Sequence, residues 1–165
     1  MTNTATTILL WLATIGSALI AGTFFAFSTF VMTSFARIEP AHGIAAMNAI
    51  NTTILGSAFI PVFVGTAVAG VALAVLAFLP WNGAASLAML AGAIVYVVGS
   101  FGCTMAFNVP LNDALAGFDA NDPAALSLWS KYLVDWTFWN HVRTVASGGA
   151  CLSFVLALVS RASHP

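Results

Sequence analysis

The chain has 165 residues, 61% hydrophobic and 5% charged, with four Lys and Arg against five Asp and Glu; its mean hydropathy is +1.00. A soluble domain carries about 25% charged residues, so so few charges exclude a water-soluble fold. The net charge of -1 offers no electrostatic footprint for nucleic acid, and the class that remains is an integral membrane protein, read as one domain over residues 1–165.

Four apolar runs reach the roughly 17–25 residues of a spanning helix: Ile8 to Phe35, Ile54 to Leu79, Ala84 to Phe107 and Val142 to Val159. The first is longer than a signal-peptide core of about 7–15 residues and has no Lys or Arg before it, so it reads as a retained span. None alternates polar with apolar as barrel strands do. The expected fold class is therefore all-α: an integral membrane four-helix bundle with extended helix ends and a polar cleft at one membrane face. Pro80-Trp81-Asn82-Gly83 is a tight turn that makes helices two and three an antiparallel hairpin. The long segments from Arg37 to Thr53 and from Asn108 to His141 then share one side, and every charge except Arg161 lies in them or at their helix junctions. With Arg37, Lys131 and Arg143 on that side, the positive-inside rule puts it in the cytoplasm.

After the first run, Arg37-Ile38-Glu39-Pro40-Ala41-His42 leads into helix two, and Pro40 is suited to open an extension of that helix. On it Asn48, Asn51 and Thr52 share one face, while Glu39 and His42 share another. The three polar residues fit either a wet interfacial face or one wall of the cleft. Pro61, inside the second run, removes a backbone bond and is expected to bend the helix there. Glycines recur through the spans, as expected where backbones approach closely in lipid, and they are compatible with a homo-oligomer. Pro110 disfavours helix at Val109, so helix three is expected to end near Asn108. Asn108, Asn112 and Asp113 then either cap and turn the chain or line the cleft.

The last segment carries the clearest pattern. Asp122-Pro123 is an N-cap followed by Pro at the first helical position, and no breaker follows before Gly148. At about 100° per residue, Trp129, Tyr132, Trp136, Asn140 and Arg143 fall in one stripe roughly 80° wide, which Ser147 continues. Interfacial anchoring accounts for the aromatic residues. It accounts poorly for Asn140, because polar residues at membrane depth usually face an interior. His141 lies off the stripe. Cys103 and Cys151 sit in apolar runs and read as buried free thiols. Glu39 and His42 make a single Glu-x-x-His pair, too few ligands to complete a site, so no metal is expected.

Asn108-Val-Pro-Leu-Asn112-Asp113, then Trp129-x-x-Tyr132, then Trp139-Asn140-His141-Val-Arg143-Thr-Val-Ala-Ser147 resembles the anthrone oxygenase family of four-helix membrane proteins. Ala46-Met47-Asn48-x-x-Asn51 resembles it too, and the likeness extends over essentially the whole chain. The resemblance implies a membrane oxidoreductase that oxidises a hydrophobic aromatic or quinone-like compound with O₂ and no established cofactor. Its partners would be a lipophilic small molecule and the surrounding lipid. On that reading Trp129, Tyr132 and Trp136 form a flat slot, with Asn48, Asn51 and Asn112 as further binding residues. Arg143, Asn140 and Asn108 hold an oxyanion, and Asp113, His141 or Glu39 acts as the base. Two other readings use the same cleft or none: a non-enzymatic binder or transporter of a lipophilic ligand, and a structural subunit of a membrane complex.

Overall fold

The computed structural model describes residues 2–79 and 81–163. Pro80, in the short turn, lies outside them. Five helices account for the architecture: α1 (Thr4–Phe35), α2 (Pro40–Leu55), α3 (Phe59–Leu76), α4 (Gly83–Ala116) and α5 (Pro123–Ser163). All but α2 are long and apolar enough to cross a membrane, and no strand occurs among the described residues. The protein is a multi-pass four-helix bundle. α1 packs on α3 and α5, and α4 closes the ring by packing on α3 and α5. Large apolar side chains such as Leu12, Leu19, Val68, Val98 and Leu152 are exposed around the bundle, which suits a helix surface solvated by lipid.

Close approach sets the packing. A Cβ added at Gly99 of α4 would sit 2.7 Å from the Ala146 Cβ of α5, and one at Gly92 would sit 2.6 Å from the Phe154 ring. The membrane-embedded core is built on Leu10, Ile20, Phe24, Phe63, Leu73, Tyr96 and Phe154. A second core, of Met32, Ile44, Met47, Leu115, Trp129, Tyr132 and Trp136, lies at the end where α2 docks.

Three expectations about the helices are corrected. The segment opened by Pro40 does not continue into the second span: α2 stops at Leu55, and the chain turns through Gly56 and Ser57 before α3 begins. Pro61 accordingly lies in the first turn of α3, where a backbone N–H would have no intrahelical partner anyway. Its ring would clash with the carbonyl four residues back, which is Ser57, at the break. Pro61 thus marks a helix start and not a bend. The third correction is at Pro110, which does not end α4. The preceding residues Thr104–Asn108 are wound as a π-helix, and Val109 N–H reaches back five residues to Thr104 C=O. That wider turn lets the chain pass Pro110 and stay helical to Ala116.

α5 begins as expected. Asp122 Oδ1 accepts a hydrogen bond of 2.7 Å from Ala124 N–H, and the helix runs 41 residues from Pro123, about 60 Å at 1.5 Å per residue. That is roughly twice a hydrocarbon core of about 30 Å, so its first turns stand outside the span and carry α2 and the end of α4.

Candidate active site

The polar stripe of α5 is wholly internal. Trp129, Tyr132, Trp136, Asn140, Arg143 and Ser147 are all buried. π-helical segments face it from both sides, Phe27–Val31 on α1 and Val95–Gly102 and Thr104–Asn108 on α4. Such insertions re-aim backbone and side chains locally and are common at functional sites.

Asn140 is fixed by three hydrogen bonds. Its Nδ2 donates to Phe24 C=O (2.7 Å) and Ser28 Oγ (2.8 Å), both on α1. Its Oδ1 accepts from Arg143 Nη2 at 2.8 Å. Arg143 Nη1 donates to Thr104 Oγ1 on α4 at 3.3 Å. The guanidinium lies 4.1 Å from the centre of the Phe24 ring and 4.9 Å from that of Trp136, an arrangement that suits its planar, weakly hydrated charge. Arg143 is 4% exposed, and its buried Nε has no partner. The nearby acidic residues do not pair with it: Asp135 pairs with Lys131 at 3.3 Å on the surface, and Asp113 is exposed.

Beside Arg143 is a cleft of about 480 Å³ between α1, α2, α3 and α4. Its walls are Phe24, Phe27, Phe59, Phe63 and Phe101, with Met47, Ile50 and Ile54 of α2 above them. Several rings pack on one another: Phe59 and Phe63 are 5.5 Å apart between centroids, and Phe63 and Phe101 5.3 Å. The polar lining is Arg143, Trp136, Asn112, Asn51, Thr104 and Thr23. Asn112 Oδ1 accepts from Tyr132 Oη at 2.7 Å and from Trp136 Nε1 at 2.9 Å, leaving its Nδ2 as an unclaimed donor. The Asn51 amide lies close to the Tyr132 hydroxyl, yet its buried Nδ2 makes no well-formed hydrogen bond. The mouth is apolar: Leu55, Val64 and Met105 line the cleft and are 70%, 41% and 53% exposed.

Of the residues singled out in the sequence, Arg143, Asn112, Asn51 and Trp136 line this cleft, and Asn140 stands directly behind Arg143. The others do not line it. Trp129 and Tyr132 stack in series with Trp136 (15° and 22° between planes) but belong to the second core, and Trp129 packs against Gly43, where any Cβ would come within 2.8 Å of its ring. Asn108 is buried with its Nδ2 on Trp136 C=O at 3.2 Å, which ties α4 to α5. Asn48 is half-buried outside the lining. His141 and Asp113 are exposed, because each follows directly after an inward-facing Asn and one helical step swings a side chain by about 100°. Glu39 and His42 form an exposed pair 3.8 Å apart. Among the described residues no Asp, Glu or His lines the cleft, and no three His, Cys, Asp or Glu gather as a metal site would need. The sequence reading missed the phenylalanine walls and Thr104.

Residues 51–153 match the family model for anthrone oxygenase. The chain belongs to the anthrone oxygenase family. No curated protein and no solved structure matches it. The stretch matched to the anthrone oxygenase family starts at Asn51 and takes in every lining residue of α3, α4 and α5. The wall given by Phe24 and Phe27 lies outside it.

Proposed function

We propose that the protein is a membrane oxidoreductase that oxidises a hydrophobic, planar aromatic or quinone-like compound with O₂, as the family's description suggests. The observation that carries this reading is an aromatic-walled cleft of about 480 Å³ whose lining also holds Arg143, Asn51 and Asn112 as donors. In the reaction so proposed, a CH₂ flanked by aromatic rings and a carbonyl becomes a second carbonyl. One atom of O₂ forms the new C–O bond and the other leaves as water with the two hydrogens. Phe24, Phe59, Phe63 and Phe101 would hold the rings, and Arg143 with Asn51 and Asn112 would hold the carbonyl oxygen as it gains charge. Such donors are worth about 3–4 kcal/mol each where water is excluded. An apolar substrate and O₂ both partition into lipid, which suits an apolar mouth. The donor-rich end is assigned to the cytoplasm, an orientation supported by Arg37 and Lys131 on that side against Arg161 on the other.

The test is O₂ uptake by protein in lipid nanodiscs supplied with a lipophilic anthrone, with ¹⁸O₂ to follow the label into product. Turnover above the protein-free rate, lost in Asn140→Ala, is expected. Saturable binding with no O₂ uptake from any such compound would remove the enzyme reading in favour of a non-enzymatic binder.

A further inference from the structure

Arg143 is a buried cation with only neutral partners. Its Nη2 meets the Asn140 amide, its Nη1 the Thr104 hydroxyl, and its faces meet two aromatic rings. A buried charge is costly unless paired, and among the described residues no carboxylate lines the cleft. The titratable groups that interact with it electrostatically are Cys103 of α4 and Tyr132 on its own helix. Both act as donors to other groups: Tyr132 Oη to Asn112 Oδ1, and Cys103 Sγ to Trp139 C=O at 3.8 Å. α1, α2 and α3 bring no titratable side chain to the cleft. Three donors on residues that line the cleft make no well-formed hydrogen bond: Arg143 Nε and Asn51 Nδ2, both buried, the latter near the Tyr132 hydroxyl, and Asn112 Nδ2. The site therefore offers donors and positive charge, and no base.

We infer that the ligand itself supplies the missing counter-charge: the cleft takes a lipophilic acid as its anion, one oxyanion against Arg143 and an apolar body against the phenylalanine walls. The ligand can arrive neutral from the lipid, its proton being released to water as the anion forms against Arg143, so no side chain of the cleft has to keep that proton. The assignment rests on the reading of this cleft as the ligand site. Two sources share the chemistry: an ionised phenol or enol on a planar aromatic body, and the carboxylate of a long acyl chain.

The experiment measures binding without turnover, on the full chain in nanodiscs at fixed lipid, by quenching of tryptophan fluorescence. The probes are 2-naphthol, its methyl ether and decanoate. Naphthol affinity is expected to rise with pH through the probe's own ionisation, because the bound anion is favoured, and to level off about 10- to 100-fold above the ether, the worth of a hydrogen bond to a charged group. The ether should show no such dependence. Arg143→Gln should flatten the profile; if that variant does not fold, the phenol and ether comparison on the unaltered chain decides alone. Equal binding of naphthol and its ether at every pH would overturn the inference. Decanoate binding more tightly than naphtholate, with no O₂ uptake from any aromatic compound, would uphold the anion assignment and sink the oxidoreductase reading.

Discussion

Replacing Asn140 by Ala removes three hydrogen bonds at once and leaves the Arg143 guanidinium without its shortest partner. In water-soluble proteins each orphaned buried group costs about 1–3 kcal/mol. Inside membranes the interhelical bonds measured so far average about 0.6 and reach about 1.7 kcal/mol, because the unfolded reference state also finds partners. Taking the average for the bonds to Phe24 and Ser28 and the upper value for the charged one, the loss comes to about 3 kcal/mol. The measurement is reversible unfolding in mixed micelles, with the midpoint and slope followed by tryptophan fluorescence, since Trp136 adjoins the perturbed group. A loss below about 1 kcal/mol would refute the reasoning: Asn140 would then not be what holds α1 to α5 at this depth. Ligand binding should fall with it, because Arg143 would no longer be held over the Phe24 ring.

Arg143→Lys keeps the charge but not the planar fork over Phe24 and Trp136, so ligand affinity should drop about tenfold or more while the fold persists; a titration matching the unaltered protein would show that a point charge suffices. A cysteine placed at Asn140, in a background with Cys103 and Cys151 replaced, should resist a lipid-soluble maleimide, whereas one at Val145, 75% exposed, should react, and equal labelling would mean that the stripe is not internal. Gly43→Ala drives a methyl to within 2.8 Å of Trp129 and should cost about 1–3 kcal/mol by overpacking, while Gly22→Ala, with nothing within 4 Å, should be neutral or stabilising by up to about 1 kcal/mol. Lys131→Ala removes only a surface ion pair and should change stability by no more than about 1 kcal/mol, again read from the unfolding midpoint.

The bundle was legible because a span of lipid length has few alternatives, and the α5 stripe because its period is that of a helix. The Asp122-Pro123 start could be read for the same local reason: a side-chain acceptor two residues before a backbone donor needs no tertiary context. Pro110 misled because a π-turn, which no residue pattern announces, lets a helix pass a proline. The break at Gly56 and Ser57 was hidden by the apolar run across it. His141 and Asp113 attracted attention by residue type, but helix phase turns both outward. Phe24, Phe59, Phe63 and Phe101 were invisible for the opposite reason: in a sequence this apolar, a wall of the cleft and a lipid-facing side chain are written in the same letters. The neutral partners of Arg143 were also out of reach, since nothing in Asn140 or Thr104 taken alone says that it will stand where a carboxylate would.

If the proposed ligand enters by the outward-turned mouth at Leu55, Val64 and Met105, that route decides the units in which its affinity has to be expressed. A ligand that arrives sideways from the acyl chains is sensed as a mole fraction of the bilayer, not as a molarity in the buffer. Doubling the phospholipid at constant ligand would halve occupancy below saturation, whereas doubling the aqueous volume would leave it nearly unchanged for any compound that partitions strongly. This surface dilution would make half-saturation values from different detergents incomparable until each is divided by the amphiphile present. On that route the membrane itself, by concentrating apolar compounds in a thin film, would take over part of the selectivity for apolar bodies that a soluble protein would have to build into its pocket.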